Sequence, residues 1–367
     1  VGPTGAGKSV LLALIALQFR RYEQSQVFIF DKGHSARAAA LTMGGTAIDL
    51  GLGSALAFQP LRDIDDVPSR AFARDWVLGL ISHEGIALDP ANKDAIWTAL
   101  NSLASAPANE RTLTGLSLLL QANLLRQALQ PYTLEGPWGS LLDGNEDRLA
   151  FSDVMHFELE TLMESKGLVL PVLTYLFHRL ESRFDGNPRL LILDEAWLFL
   201  DHPLFAARIR EWLKTLRKKN VAVIFATQSL ADISASSIAP AIIESCPTRI
   251  FLPNDRAIEP QIRDIYERFG LNPRQIEIIS RSTPKQDYYA QTARGNRLFE
   301  LDLGPLALAI CGASTPQDQK LIDALLGEHG AVGFPAAFLA AKGFADEAGM
   351  IERAMQADSI VSHHAIK

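Results

Sequence analysis

Eight residues near the start of the chain have the types and spacing of a phosphate-binding loop. They run Gly2-Pro3-Thr4-Gly5-Ala6-Gly7-Lys8-Ser9 and satisfy the pattern G-x-x-x-x-G-K-[ST] in full. In such a loop the glycines let backbone N–H groups turn inward around phosphate oxygens, the lysine reaches the β- and γ-phosphates, and the serine hydroxyl coordinates Mg²⁺. A helix is predicted from Val10 onward, and its N-terminal end adds positive potential. The segment from Gly2 to Val10 is therefore predicted to bind ATP with Mg²⁺.

Two adjacent carboxylates, Asp194 and Glu195, follow the apolar segment Leu190–Leu193. An apolar strand that ends in two carboxylates is what a Walker B element requires. Asp194 would hold Mg²⁺ through water, and Glu195 would orient and polarise the attacking water. The alternative is an ordinary strand followed by an acidic helix cap. The second carboxylate favours ATP hydrolysis over a kinase or GTPase arrangement.

A polar amide, Gln228, follows the next apolar segment, Val223–Ala226. At the tip of a neighbouring strand it could contact the γ-phosphate or the attacking water, and so couple the nucleotide state to motion. The alternative is an ordinary turn glutamine, because a single glutamine is a weak signal.

Several basic residues downstream are candidates for a cation supplied by a neighbouring subunit. Arg294 and Arg297 flank Gly295, where a tight turn could present either one to a neighbour, and Arg281 and Lys285 are weaker candidates. The alternative is that all four are solvated charges. The run Arg217–Lys219 could contact nucleic acid, or a nucleotide across a subunit interface. The alternative is that it is the solvated last turn of a helix.

The surrounding elements predict an α/β fold with a mainly parallel sheet and an all-α insertion. Strands are predicted at Val27–Phe30, Thr46–Leu50 and Leu190–Leu193, whereas Asp65–Asp185 is mostly helical by periodicity, including Phe157–Met163. Leu298–Leu303 and Ala307–Cys311 are predicted to form an antiparallel pair. The predicted domains are a P-loop ATPase core over 1–64 and 186–315, a helical insertion over 65–185, and a C-terminal helical segment with a tail over 316–367.

Composition limits the function classes. The chain has 367 residues, 48% of them hydrophobic, two cysteines and a net charge of −7. These values exclude a disordered chain, a disulfide scaffold and a generally cationic nucleic-acid-binding surface, although a local basic patch is compatible with them. No secretory signal or transmembrane helix is predicted. Because no strand precedes the phosphate loop, the chain is expected to be the C-terminal part of a longer protein.

Four segments together resemble the TrbE/VirB/CagE family, the conjugative-transfer ATPases of bacterial type IV secretion systems, with TrbE as the nearest subtype. They are Gly2–Ser9, "LLILDEAWLFL" at 190–200, "LRKKNVAVIFATQSL" at 216–230 and "RGNRLFELDLGPLAL" at 294–308. The resemblance implies a RecA-like motor with a helical insertion. It also implies a homo-hexamer at the cytoplasmic face of the inner membrane, in contact with other secretion components. The family's functional residues map to Lys8, Ser9, Asp194, Glu195 and Gln228.

Three functions are consistent with these features. The first is an ATP-hydrolysing motor that powers channel or pilus assembly and substrate transfer. The second is a DNA-translocating ATPase of the coupling-protein or FtsK-like kind, against which the negative charge argues mildly. The third is a nucleotide-bound scaffold without hydrolysis, against which Glu195 argues.

Overall fold

The chain forms two compact units. The computed structural model describes residues 1–195 and 203–364, with the backbone alone described for 203–204 and 356–364. The first unit comprises residues 1–48, 152–158 and 184–367, and the second comprises 49–151 and 159–183. Residues 196–200, the last part of the segment 190–200 that carries the family resemblance, lie outside the described residues.

The first unit contains a five-stranded sheet with the strand order β2-β3-β1-β4-β5. Its strands are β1 (Gln26–Asp31), β2 (Thr46–Asp49), β3 (Val154–Glu158), β4 (Arg189–Leu193) and β5 (Val221–Phe225). The β1–β3, β1–β4 and β4–β5 pairs are parallel. The predicted RecA-like P-loop fold, with a mainly parallel sheet, is confirmed.

Burial on both faces explains why the central strands lack polar alternation. All residues of β1, β3 and β4 are buried. A parallel strand covered on both faces is apolar nearly throughout, and each large apolar side chain that it buries contributes about 1.5–3 kcal/mol. For the same reason the prediction of a helix from Phe157 is wrong at its start. The segment Val154–Glu158 carries no periodicity of two that would separate it from the helices around it, and it belongs to the sheet.

A second, antiparallel sheet has the strand order β6-β7-β8, formed by β6 (Arg249–Phe251), β7 (Asp287–Thr292) and β8 (Gly295–Glu300). The predicted antiparallel pair at 298–311 is therefore wrong. Leu298 pairs with Tyr289 on β7, and Pro305–Cys311 is a helix that begins with proline in its first turn. Proline fits a helix start because that position needs no N–H donor, whereas it disfavours a strand interior.

Helices cover the sheet of the first unit. They are α1 (Lys8–Phe19), α2 (Arg37–Thr42), α10 (Pro203–Thr215), α11 (Leu230–Ala235), α12 (Ala239–Ser245), α13 (Pro260–Arg268), α14 (Pro273–Arg281), α15 (Pro305–Cys311), α16 (Pro316–Ala341) and α17 (Ala345–His364). By length and composition alone α16 could cross a membrane, which the sequence analysis did not predict. In this unit 28% of its apolar stretch is buried. It is kinked at Gly330, and its Phe334 and Phe338 are buried against Leu41.

The second unit is helical throughout. Apart from Asp49, which ends β2, the regular elements within 49–151 and 159–183, which the structure describes completely, are all helices. The α-helices are α3 (Val67–His83), α4 (Pro90–Leu103), α5 (Leu113–Leu119), α6 (Asn123–Leu129), α7 (Gly139–Leu142), α8 (Glu160–Glu164) and α9 (Lys166–Glu181). This unit differs from the predicted insertion at 65–185 in three ways. It begins at 49, it ends at 183, and residues 152–158 return to the sheet of the first unit.

Candidate nucleotide site

The phosphate loop has the backbone conformation that its glycines predict. Gly5 and Gly7 have φ values of 81° and 101°, in the region where a side chain would be strained. Helix α1 begins directly at Lys8. The N–H of Gly2 donates to the carbonyl of Thr227 at 3.3 Å, which fixes the start of the loop to the end of β5.

The carboxyl ends of β4 and β5 bring the predicted residues together at this loop. The Lys8 Nζ lies 2.7 Å from the Asp194 Oδ1 and 2.9 Å from the Glu195 Oε1. The Gln228 Nε2 donates to the same Glu195 oxygen at 2.7 Å. Thr4 donates its hydroxyl to the Gln228 Oε1 at 2.5 Å. We call these five side chains the P-loop network.

Burial makes the charges in the P-loop network interdependent. The side chains of Lys8, Asp194 and Glu195 are only 11%, 7% and 8% exposed. Burial raises the pKa of the Asp194 carboxyl, and the Lys8 ammonium offsets this only in part. Burial also acts to lower the pKa of Lys8, but its contacts with Asp194 and Glu195 raise that pKa above its ordinary value. The Lys8 ammonium is thus shared by two carboxylates, and a bound phosphate would compete with them for it.

Glu195 has an unusual backbone. Its φ is 55°, in the left-handed region that costs a non-glycine residue about 1–2 kcal/mol. Its N–H donates to the Asp194 Oδ1 at 3.0 Å. The strained turn aims the Glu195 carboxylate at Lys8, and such strain is typical of functional positions.

The antiparallel sheet supplies the opposite wall of the site, which sequence reasoning missed. The Tyr288 hydroxyl donates to the Gly7 carbonyl at 3.1 Å, and the Lys285 N–H donates to the Ala6 carbonyl at 3.1 Å. A Cβ at Gly7 would lie 2.5 Å from the Tyr288 hydroxyl, so only glycine fits there. Lys285, a weaker candidate for a cation in trans, instead lines the cleft of its own phosphate loop.

The cleft between these walls has a volume of about 900 Å³. It is lined by the phosphate loop, Lys32, Asp194, Glu195, Gln228, Lys285, Tyr288 and the segment 300–303. A cleft of this size can hold a nucleoside triphosphate, since ligand pockets commonly measure about 300–1,000 Å³.

Arg294 and Arg297 do not line this cleft. Arg294 lies in the turn between β7 and β8, Arg297 lies on β8 opposite Ala290, and both are exposed. Their role as cations in trans stays a prediction.

A buried polar cluster beside the site, formed by Asp31, His156 and Glu158, was also missed. Asp31 ends β1, and its carboxylate accepts hydrogen bonds from the Ser35 hydroxyl at 2.9 Å, the Ala36 N–H at 2.8 Å and the His156 Nε2 at 3.0 Å. Burial acts to raise the pKa of Asp31, yet these hydrogen bonds hold it below its ordinary value. The oxygens of Glu158 accept the N–H groups of Gly33 and His34. The carboxylates therefore fix the loop that carries Lys32 to the cleft.

We expect Asp31→Asn to lower the free energy of unfolding by about 2 kcal/mol at pH 7, because an amide would face donors that a carboxylate satisfies. The folded state lowers the pKa of Asp31, so the loss should be complete above the unfolded pKa, about 4. It should shrink as the pH falls through the lower folded value. Urea unfolding of both proteins between pH 7 and pH 3 measures this. A stability difference that grows on acidification would contradict the assigned charge of Asp31.

The donor set beside Lys8 fits Mg²⁺. The Ser9 hydroxyl and the Asp194 carboxylate are hard oxygen ligands of the kind that Mg²⁺ prefers, and Mg²⁺ is commonly held by one or two carboxylates together with phosphate oxygens. Both residues line the same cleft. The role of each as a metal ligand stays a prediction.

Comparison with known sequences identifies the family. The family described as the TraG P-loop domain matches residues 119–294, a range that includes Asp194, Glu195 and Gln228. The conjugal transfer protein TrbE of Rhizobium radiobacter is 47% identical over 352 residues, which are 94% of this chain and 43% of that protein. The type IV secretion system protein VirB4 of Bartonella quintana is 30% identical over 90% of this chain and 43% of its own length. The chain thus spans less than half the length of each of these two relatives.

Comparison with solved structures agrees on the fold. VirB4 of Thermoanaerobacter pseudethanolicus superposes with a TM-score of 0.66 at 18% identity, over 84% of this chain and 89% of that one. The plasmid coupling protein TrwB in complex with ADP and Mg²⁺ superposes with a TM-score of 0.54 at 14% identity, over 83% and 84% of the two chains. At these identities the likeness concerns the fold alone. The sequence relatives and the P-loop match together place the chain, as the quoted motifs predicted, in the TrbE/VirB4 family of conjugal transfer and type IV secretion proteins.

Proposed function

We propose that this chain is the ATP-hydrolysing motor domain of a conjugal transfer or type IV secretion protein. One observation carries the proposal: Lys8, Glu195 and Gln228, from three separate parts of the sequence, meet within hydrogen-bonding distance at the rim of one nucleotide-sized cleft. A phosphate-binding lysine beside a carboxylate that can act as a base is the arrangement that phosphoryl transfer to water requires.

Different residues of the chain bind the phosphates, accept the proton and respond to the nucleotide. Backbone N–H groups of the phosphate loop and the Lys8 ammonium bind the phosphates of ATP. Once Lys8 contacts phosphate, Glu195 is released from it and can accept a proton from the attacking water. Gln228, whose amide contacts Glu195, responds to that change and so reports the nucleotide state to β5.

Mg²⁺ would be held by Ser9 and Asp194, and when bound it neutralises charge on the phosphate oxygens. The buried carboxyl of Asp194, whose pKa is raised, gains a second cation in this arrangement. The plasmid coupling protein TrwB, whose fold is similar, has been solved in complex with ADP and Mg²⁺, which supports the binding of a nucleotide together with Mg²⁺ here.

The names of the relatives support the setting of this activity. We propose that the chain works at the cytoplasmic face of the bacterial inner membrane, with other type IV secretion components and as a homo-hexamer. There it would power channel or pilus assembly and substrate transfer. A second function, DNA translocation, is supported by the fold likeness to the coupling protein TrwB. The net charge of −7 argues against it.

An ATPase assay with and without single-stranded DNA tests the proposal. The purified protein should release phosphate from ATP only with Mg²⁺. DNA should change this rate by less than about twofold, because hydrolysis does not require a surface that binds the DNA backbone. Stimulation by DNA of about tenfold or more would favour the DNA-translocating function instead. ATP binding without phosphate release would contradict the motor and support a non-hydrolysing scaffold.

A further inference from the structure

Thr4 stands at a position of the phosphate-loop pattern where any residue is allowed, yet its side chain makes a specific contact. Its hydroxyl Oγ1 lies 2.5 Å from the Gln228 Oε1. The contact joins the loop before α1 to the residue that follows β5, across 224 positions of sequence. Thr4 is itself exposed, so packing does not account for the contact.

The chemistry of the three groups determines which way the Gln228 amide faces. The Glu195 carboxylate can only accept, so the Gln228 atom at 2.7 Å from it must be the amide nitrogen. The amide oxygen then points in the opposite direction and needs a donor. The Thr4 hydroxyl is a donor in that place, and among the described residues 1–195 and 203–355 it is the one donor that contacts this oxygen.

We propose that Thr4 is a positioning residue of the hydrolysis site. Its hydroxyl orients the Gln228 amide, and the oriented amide N–H holds the Glu195 carboxylate toward the attacking water. This inference rests on the proposed ATPase function and adds to it a role for a loop position that the phosphate-loop pattern leaves open.

The contact matters most when nucleotide is bound. In the structure Lys8 and Gln228 both contact the Glu195 Oε1, at 2.9 and 2.7 Å. When a bound phosphate draws Lys8 away, the contact with the Gln228 amide still helps to direct the carboxylate. Without the Thr4 hydroxyl the amide can rotate, and its contribution to the orientation of Glu195 is lost.

Two substitutions at Thr4 separate the hydroxyl from the shape of the side chain. Thr4→Val keeps the shape and removes the donor, and we expect it to lower kcat about tenfold with little change in KM, because one hydrogen bond that acts on the base is lost. Thr4→Ser keeps the donor and should restore kcat to within about twofold of the parent. A fall in ATP affinity with unchanged kcat would overturn the proposal, since Thr4 would then be an ordinary part of the phosphate loop.

A double-mutant cycle tests whether Thr4 acts through Gln228. In a Gln228→Ala background, Thr4→Val should cause no further loss of kcat, because the group that it orients is gone. Losses that multiply in the double variant would show that Thr4 acts independently, which contradicts the proposal.

A ligand-free measurement keeps this test separate from the ATPase activity. The side-chain amide signals of Gln228 in a ¹⁵N–¹H spectrum, identified by their loss in Gln228→Ala, should shift in Thr4→Val and stay in place in Thr4→Ser. Signals that remain unmoved in Thr4→Val would refute the contact even where ATP is hydrolysed. If the signals shift and the parent hydrolyses no ATP, the contact stands and the proposed function fails.

Discussion

Glu195→Gln is expected to abolish ATP turnover while it preserves ATP binding. The substitution keeps the shape of the side chain and removes its ability to accept a proton, so kcat should fall by about 10²–10⁴. The Glu195 Oε1 lies 2.9 Å from the Lys8 Nζ. Loss of its charge removes a competitor for that ammonium, so ATP affinity should be equal to the parent's or higher.

Steady-state phosphate release and equilibrium binding of ATP measure the two effects separately. Glu259→Gln is a matched control, because Glu259 is an exposed carboxylate paired with Arg256 on the surface. It should leave both measurements unchanged. If Glu195→Gln hydrolyses ATP at the parent rate, then Glu195 is not the base.

Lys8→Ala, unlike Glu195→Gln, is expected to weaken ATP binding. It removes the cation that binds the phosphates, so we expect ATP affinity itself to fall. It also leaves the buried carboxylates of Asp194 and Glu195 without their shared ammonium, which destabilises the ligand-free protein by about 3 kcal/mol. Mg²⁺ alone should recover part of that stability in a thermal unfolding experiment, because a divalent cation can replace the missing charge.

The meeting of four members of the P-loop network, all except Thr4, could be predicted from the sequence, because they belong to local motifs that obey one geometric rule. A phosphate loop, a strand that ends in Asp194 and Glu195, and a strand that ends before Gln228 are each contiguous. Parallel strands present their carboxyl ends at one edge of a sheet, so the meeting of these parts follows from the fold class.

Other parts of the site could not be predicted, for physical reasons. His156 and Glu158 lie on β3, a buried strand inside a mostly helical stretch of sequence, where no hydrophobic period distinguishes strand from helix. Tyr288 reaches Gly7 from a strand 281 positions away, and no local pattern encodes such a contact. The error at 298–311 has a similar origin, because β8 pairs with the segment before it and not with the one after it.

We propose that hydrolysis uses a cation from a neighbouring subunit in addition to Lys8, Lys32 and Lys285, the lysines that line the cleft. Lys8 is shared between two carboxylates, whereas charge spreads over the γ-phosphoryl oxygens in the transition state. A guanidinium from a neighbouring subunit can contribute about 10³–10⁵ in rate at that point. Arg294 and Arg297 are suited to this role within the proposed hexamer. They are exposed beside the turn at Gly295 and have no ion pair among the described residues 1–195 and 203–355.

Mixing of two inactive variants tests this assignment. Arg294→Ala or Arg297→Ala should reduce hydrolysis by about 10³ or more when it alone forms the assembly, while ATP binding persists. Its phosphate loop stays intact, however, and a Lys8→Ala subunit keeps both arginines. A mixed assembly therefore contains some complete sites, and it should recover part of the ATPase activity that neither variant has alone. Arg263→Ala is the control, because Arg263 is an exposed arginine paired with Glu267, and it should remain fully active. Parent-like hydrolysis by both arginine variants in the assembled state would place the cation elsewhere. Loss of activity without recovery on mixing would mean that the arginine acts within its own subunit.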